Sequence, residues 1–270
     1  MPKRKKRLVV IADLHSGHRV GLTPPKYQWM VGKDPDHVWA KYARIQKECW
    51  AWYEKTARAL KPIDILVVNG DCIDGRGERS GGVELITGDR SEQCDIAAES
   101  IKLWGAKHII MVRGTPYHTG DKEDWEDVIY RRVRAEKIGE HEWIDINGTV
   151  FDFKHHIGSS TIPHGQFTAV ARDQLWNALW AEAEYQPRAD WIIRSHVHYC
   201  RWCGGFRGAR EWQAFITPAL QAMGSRFGAR RCSNLVDFGL AHWDIDAKGN
   251  TTWQKHVAPI ISQKARALKL

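Results

Sequence analysis

The chain has 270 residues, a net charge of +8 at neutral pH and 43% apolar residues, enough to bury a core and to exclude disorder outside the termini. No run approaches the roughly 20 apolar residues of a membrane helix, and the stretch Leu8 to Ala12 behind the basic segment Met1–Arg7 is too short for a secretory leader. The composition therefore predicts a cytoplasmic protein without a membrane partner, its six cysteines reduced. Residues 1–7 read as a solvated basic arm ahead of a single domain over residues 8–262. The positive excess favours phosphate-bearing partners through long-range attraction.

The first predicted strand is Val9-Val10-Ile11-Ala12, running into Asp13-Leu14-His15. Period-2 alternation puts Asp13 and His15 on one side where strand gives way to loop. The loop that follows, with Gly17, Gly21, Pro24, Pro25 and Pro35, is too broken for helix, and at roughly twenty residues it suggests a lid or rim over a site. Apolar residues at helical spacing predict a helix from Trp39 to Leu60, stopped by Lys61-Pro62. A second strand, Ile63 to Val68, completes a βαβ unit with parallel pairing. It ends in Asn69-Gly70-Asp71-Cys72-Ile73-Asp74-Gly75, with Asp71 where parallel sheets present their ligands.

A glycine-rich loop carrying Arg76 and Arg79 leads to Ser91, which is positioned to cap a helix reaching Trp104, with Gly105 as the stop. His108 to Val112 is a third strand, ending in Arg113-Gly114-Thr115-Pro116-Tyr117-His118. Helix is predicted from Lys122 to Lys137. Two strands, Trp143–Ile146 and Thr149–Phe153, flank Asn147-Gly148, the signature of a type I′ hairpin. The second strand runs into His155-His156. A helix over Gln166–Glu184 precedes the strand Trp191–Arg194, which ends in Ser195-His196-Val197-His198. Strands at Trp212–Thr217 and Leu235–Ile245 follow, then a turn at Lys248-Gly249-Asn250 and a last strand. Cys200-x-x-Cys203 has no second Cys-x-x-Cys to complete a zinc ribbon, so these read as ordinary thiols.

Carboxylates and imidazoles thus recur at the C-terminal ends of successive strands, a donor set suited to Zn, Fe, Mn, Ni or Co. In this order the motifs resemble the calcineurin-like metallophosphoesterases, whose marks are Asp-x-His, Gly-Asp, Gly-Asn-His-Asp/Glu, a lone His and Gly-His-x-His. The chain shows Asp13-Leu14-His15, Gly70-Asp71, His155 and His196-Val197-His198. The resemblance implies an α/β fold of four layers, an α/β/β/α sandwich, with two divalent metal ions. It implies Asp13, His15 and His198 on one ion, His155 and His196 on the other, and Asp71 bridging. His156 stands as the alternative to His155. A hydroxide bridging the ions would attack phosphorus in line.

The third motif departs from the family. Where the family has a ligand Asn followed by a catalytic His, this chain has Gly114-Thr115-Pro116-Tyr117-His118. Either Thr115 replaces the Asn as an oxygen ligand, with His118 as the acid or charge stabiliser at the leaving group, or His118 itself approaches the second metal.

Arg76, Arg79, Arg201, Arg207, Arg210, Arg226, Arg230 and Arg231 follow the ligand motifs, and Arg76 and Arg201 are the candidates to grip a substrate phosphate by bidentate contact. Trp202, Phe206, Trp212 and Phe227 lie among them, and aromatic plus basic residues suit single-stranded nucleic acid or nucleotides. The favoured substrate is a phosphodiester, of nucleic acid or nucleotide, which would make the protein a phosphodiesterase or nuclease. The alternatives are a phosphomonoesterase and a non-catalytic nucleic-acid-binding protein with structural histidines.

Overall fold

The computed structural model describes residues 4–30, 38–120, 124–224, 235–264 and 267. In chain order the elements are β1 (Lys6–Ile11), α1 (Val38–Leu60), β2 (Ile65–Asn69), α2 (Arg90–Lys102), β3 (His108–Val112), α3 (Pro116–Thr119), α4 (Glu126–Val133), β4 (Lys137–Gly139), β5 (His141–Ile146), β6 (Thr149–Lys154), α5 (Thr168–Glu182), β7 (Trp191–Arg194), β8 (Arg201–Arg207), β9 (Arg210–Ile216), β10 (Phe238–Ile245) and β11 (Thr251–Ala258). One sheet has the order β11-β10-β1-β2-β3-β4 and the other β5-β6-β7-β9-β8. β1 through β4 are parallel, as are β6, β7 and β9. The remaining pairings are antiparallel.

Alternation along the strands sorts the side chains into layers. Val9 and Ile11 of β1, with Leu66, Val68 and Met111, pack against Tyr42, Ile45, Cys49 and Tyr53 of α1 and against apolar residues of α2 and α4. Leu8 and Val10 point the other way, toward Phe151, Phe153, Trp191, Ile193 and Phe215 of the second sheet. The outer face of that sheet, through Ile192, Ala214 and Ile216, packs on Val170 of α5. The architecture is therefore an α/β/β/α sandwich. Full burial of each large apolar side chain in these layers is worth roughly 1.5–3 kcal/mol.

The β5–β6 hairpin turns on Asn147 (φ 60°) and Gly148 (φ 100°), the left-handed pair a type I′ turn demands. Elsewhere the expectations need correction. The helix expected over 122–137 is α4, only Glu126–Val133 among the described residues; it stops where Arg134 turns left-handed (φ 55°), and Lys137–Gly139 becomes an edge strand on β3. Asp89, not Ser91, caps α2, accepting from the backbone N–H groups of Ser91 and Glu92. β8 was not expected; Gly204-Gly205 dilutes its pattern, yet it pairs along β9. No helix among the described residues is long and apolar enough to cross a membrane.

Candidate metal centre

The histidines and carboxylates singled out in the sequence collect where the C-terminal ends of β1, β2, β6 and β7 meet. Backbone hydrogen bonds hold these loops together: Asp13 N–H donates to Gly70 O (3.0 Å), His15 N–H to Asp71 O (3.0 Å) and Ser195 N–H to His155 O (2.8 Å). His196 N–H reaches across to Asp13 Oδ2 at 3.3 Å, joining the two sheets at this point. Glycines permit the crowding. A Cβ on Gly114 would overlap the carboxylate and backbone of Asp71, and one on Gly70 would overlap the His155 ring.

The backbone here is strained. Asp13 (φ 52°), His15 (φ 44°), Asp71 (φ 51°), His196 (φ 74°) and His198 (φ 60°) are all left-handed. Such a conformation costs of order 1–3 kcal/mol at a non-glycine residue and persists only where the surroundings impose it. It is concentrated in the residues that carry the donor atoms.

The donors form three groups whose ligand atoms lie within 4.8 Å of one another: Asp13, His15 and His198; Asp71, His155 and His196; and His15, Asp71 and His118. Asp71 Oδ2 is 3.0 Å from His155 Nε2 and 3.9 Å from His196 Nδ1. Asp13 Oδ1 is 3.3 Å from His198 Nε2 and 3.9 Å from His155 Nε2. The Nε2 atoms of His15 and His198 face each other at 3.2 Å. Three buried atoms aimed into this volume, Asp13 Oδ1, His155 Nε2 and His196 Nδ1, have no aligned hydrogen-bond partner. Buried polar atoms are almost always satisfied, and divalent cations would satisfy these. The nitrogen and oxygen donor set fits that role.

Groups behind the donors fix their orientation, as outer-shell partners of metal ligands do. His155 Nδ1 donates to Asn69 O at 2.7 Å, which turns Nε2 inward. His15 Nδ1 donates to Asp74 Oδ1 at 3.1 Å, and His118 Nδ1 donates to Asp74 O at 2.9 Å, leaving its Nε2 uncommitted. Thr115 donates to Asp71 Oδ1 from both its backbone N–H (2.6 Å) and its hydroxyl (3.0 Å). Glu126, fully buried, accepts from Cys72 N–H at 2.9 Å and Gly114 N–H at 2.7 Å. Asp74 follows Asp71 by three residues in a loop, and Glu126 has no sequence signal beyond being an acid in the first turn of a helix.

The electrostatics follow from burial against charge. Burial penalises the Asp74 carboxylate, but the hydrogen bond from His15 and the nearby His18 and His118 outweigh it and hold the carboxyl at about 2. Burial would lower His155, yet the Asp71 and Asp13 carboxylates raise it to about 10. Burial pushes Glu126 up to about 7, against the pull of its two backbone donors. Burial and the neighbouring His118 lower His15.

His156 is exposed and lies tilted against His196, ring centroids 4.6 Å apart, outside the three donor groups. Arg76 is exposed, 4.0 Å from Glu78. The Arg201 guanidinium bonds Gln166 and the Cys200 carbonyl, both at 2.7 Å. Trp202 is partly exposed beneath the Lys255 ammonium, 3.5 Å from the ring centroid, while Trp212 packs on the α5-side core. Cys200 and Cys203 are free thiols outside the donor groups. Arg226, Phe227, Arg230 and Arg231 lie outside the described residues, as does Pro35. The described part of the loop after His15 is packed rather than open: residues 16–24 are buried, and Arg19 pairs with Glu84 beneath the surface.

No protein-family model matches the chain, and a search of curated proteins finds no match either. Among solved structures, the chain is similar to an archaeal phosphodiesterase, at 11% identity over 93% of this chain and 99% of that one, with a TM-score of 0.43. It is similar to Yfce, a phosphoesterase from E. coli, at 14% identity over 92% and 98% of the two chains, TM-score 0.41. It is also similar to the purple acid phosphatase PPD1 of yellow lupin, at 11% identity over 94% of this chain and 52% of that one, TM-score 0.44.

Proposed function

We propose that the chain is a metal-dependent phosphoesterase of the calcineurin-like kind, acting on phosphodiesters of nucleic acid or nucleotides. The observation that supports this is the convergence of the Asp13/His15/His198 and Asp71/His155/His196 groups, with three buried ligand-type atoms between them that lack an aligned hydrogen bond. When bound, divalent cations would supply charge neutralisation at phosphorus and activation of water as a nucleophile.

The chain's own residues do the rest. Asp13, His15 and His198 would hold one ion and His155 and His196 the other, with Asp71 available to either. Asp74 holds the His15 ring in place through Nδ1. Thr115 supports the Asp71 carboxylate, and its hydroxyl is the oxygen that stands in for the family's Asn. His118, with Nδ1 given to Asp74 O, keeps Nε2 to hold or deliver a proton at the leaving oxygen. Arg76 and Arg201 are the proposed phosphate contacts, and the basic, aromatic edge around Trp202 favours a nucleic-acid or nucleotide leaving group.

The test pairs elemental analysis of protein purified without added metal with turnover of bis- and mono-nitrophenyl phosphate in manganese. Bound divalent metal and faster diester hydrolysis are expected. Faster monoester hydrolysis would replace the diester reading with a phosphomonoesterase. Salt-sensitive nucleic-acid binding with no metal and no turnover would overturn the enzyme reading altogether.

A further inference from the structure

We infer that Glu126 is a positioning residue that sets the spacing of the two loops bearing Asp71 and Thr115, and with it the affinity of the metal centre; this rests on the function proposed above. Acidic side chains are almost never fully buried without a partner. Glu126 has no exposed surface and lies among the described residues at the first position of α4. Its partners are not cations: beside the Cys72 thiol they are two backbone N–H groups, each on the chain segment next to a site residue. Cys72, which follows Asp71, donates to Oε1 at 2.9 Å. Gly114, which precedes Thr115, donates to Oε2 at 2.7 Å.

These two bonds close a ring. Thr115 N–H returns to Asp71 Oδ1 at 2.6 Å. The circuit therefore runs from Asp71 through its peptide to Cys72, through the Glu126 carboxylate to Gly114, and through a second peptide to Thr115 and back to Asp71. Neither loop is helix or strand at this point, so no ladder of backbone hydrogen bonds fixes their separation. Their approach is close enough that a Cβ on Gly114 would collide with Asp71. Ligand constellations tolerate displacements of only about 0.5 Å. A rigid two-oxygen bridge between two N–H donors is a means of holding such a distance.

The chemistry of the bridge makes a sharp test, because both oxygens must accept. Glu126→Gln keeps the volume but turns an amide NH₂ toward a backbone N–H. Glu126→Asp keeps two acceptors but shortens the arm and opens a void. A role in packing alone ranks the Gln variant above the Asp variant. A positioning role ranks them in the opposite order.

Metal-stripped protein and both variants should be titrated with manganese by calorimetry, at a temperature where near-ultraviolet circular dichroism shows each to be folded. Glu126→Gln is expected to weaken manganese binding by about 10- to 100-fold, the usual cost of losing an outer-shell partner, with Glu126→Asp retaining more. Affinity in folded Glu126→Gln equal to that of the unaltered protein, or the reverse ranking, overturns the inference while leaving the proposed function standing. If Glu126→Gln does not fold, Glu126→Asp decides alone: unchanged affinity overturns the inference and a clear loss supports it. If the unaltered protein binds neither manganese nor zinc, the proposed function fails and this inference with it.

Discussion

β1 carries charge at both ends and treats it in opposite ways. At its start the Arg7 guanidinium forks onto both oxygens of Asp244, at 2.7 and 2.8 Å, and donates to the Leu60 carbonyl at 2.7 Å. Beside it Asp64 accepts from Arg4, Lys107 and the Arg7 N–H. Every carboxylate there has its cation. At the far end the same strand delivers Asp13 and His15 into a cluster where imidazole faces imidazole and buried polar atoms lack aligned hydrogen bonds. Left-handed backbone at Asp13 and His15 adds strain at that end and not at the other. One end is finished on folding. The other end gathers strain and unmet polarity, which concentrate at functional sites.

The largest expected effect comes from removing the carboxylate common to two donor groups. Asp71→Asn should lose bound metal and reduce diester turnover by at least about a thousandfold, in keeping with the several kcal/mol that metal ions contribute. Gly114→Ala should act in the same way by driving a methyl group into Asp71. Elemental analysis beside the nitrophenyl assay checks both, and full metal occupancy in either variant would erase the contrast between the two ends. His118→Ala separates chemistry from binding. Turnover should fall by about 10²- to 10⁴-fold, the usual share of a general acid, with metal content unchanged. A parallel loss of metal would instead make His118 a ligand, as its grouping with His15 and Asp71 allows.

Much of the unfinished end was legible in the sequence because donor residues at strand ends sit in short local motifs. Alternation along β6 places Phe151 and Phe153 toward the first sheet, and two residues on it carries His155 to the same side, while His156 turns out to solvent. The outer partners were not legible. Asp74 sits three residues after Asp71 and resembles any loop acid. Glu126 looks like a helix-start acid that favours the dipole and faces water; only the fold turns it inward. The premature end of α4 had no glycine or proline to announce it, since Arg134 itself takes the left-handed turn. β4 and β8 are edge strands whose pairing comes from their neighbours more than from their own pattern.

A smaller effect tests completion by a ligand directly. Manganese at about 100 times its dissociation constant should stabilise the fold by about 2.7 kcal/mol, visible as a rise in melting temperature that a chelator reverses. Asp71→Asn should abolish the rise, whereas Asp244→Asn, at the finished end, should leave it intact.

The smallest effect belongs to the finished end alone. The hydrogen bonds from Arg7 lead the causes that hold the Asp244 carboxyl down at about 2, below its ordinary value near 3.8. A carboxyl depressed on folding adds stability that is fully present above its unfolded value and disappears as pH falls through its folded one. Asp244 therefore contributes between about pH 4 and 2 a share of the acid sensitivity, about 1 kcal/mol once solvent screening of a partly exposed pair is allowed for. Asp244→Asn should flatten the acid limb of a urea-denaturation series over that window and lower stability at pH 7 by the same amount. It should not alter manganese affinity, because nothing in the Arg7–Asp244 pair reaches the donor groups at the other end of the strand. An Asp244→Asn protein that binds manganese less tightly would mean that the two ends of β1 are coupled, and that the satisfied charges at one end help hold the strained backbone at the other.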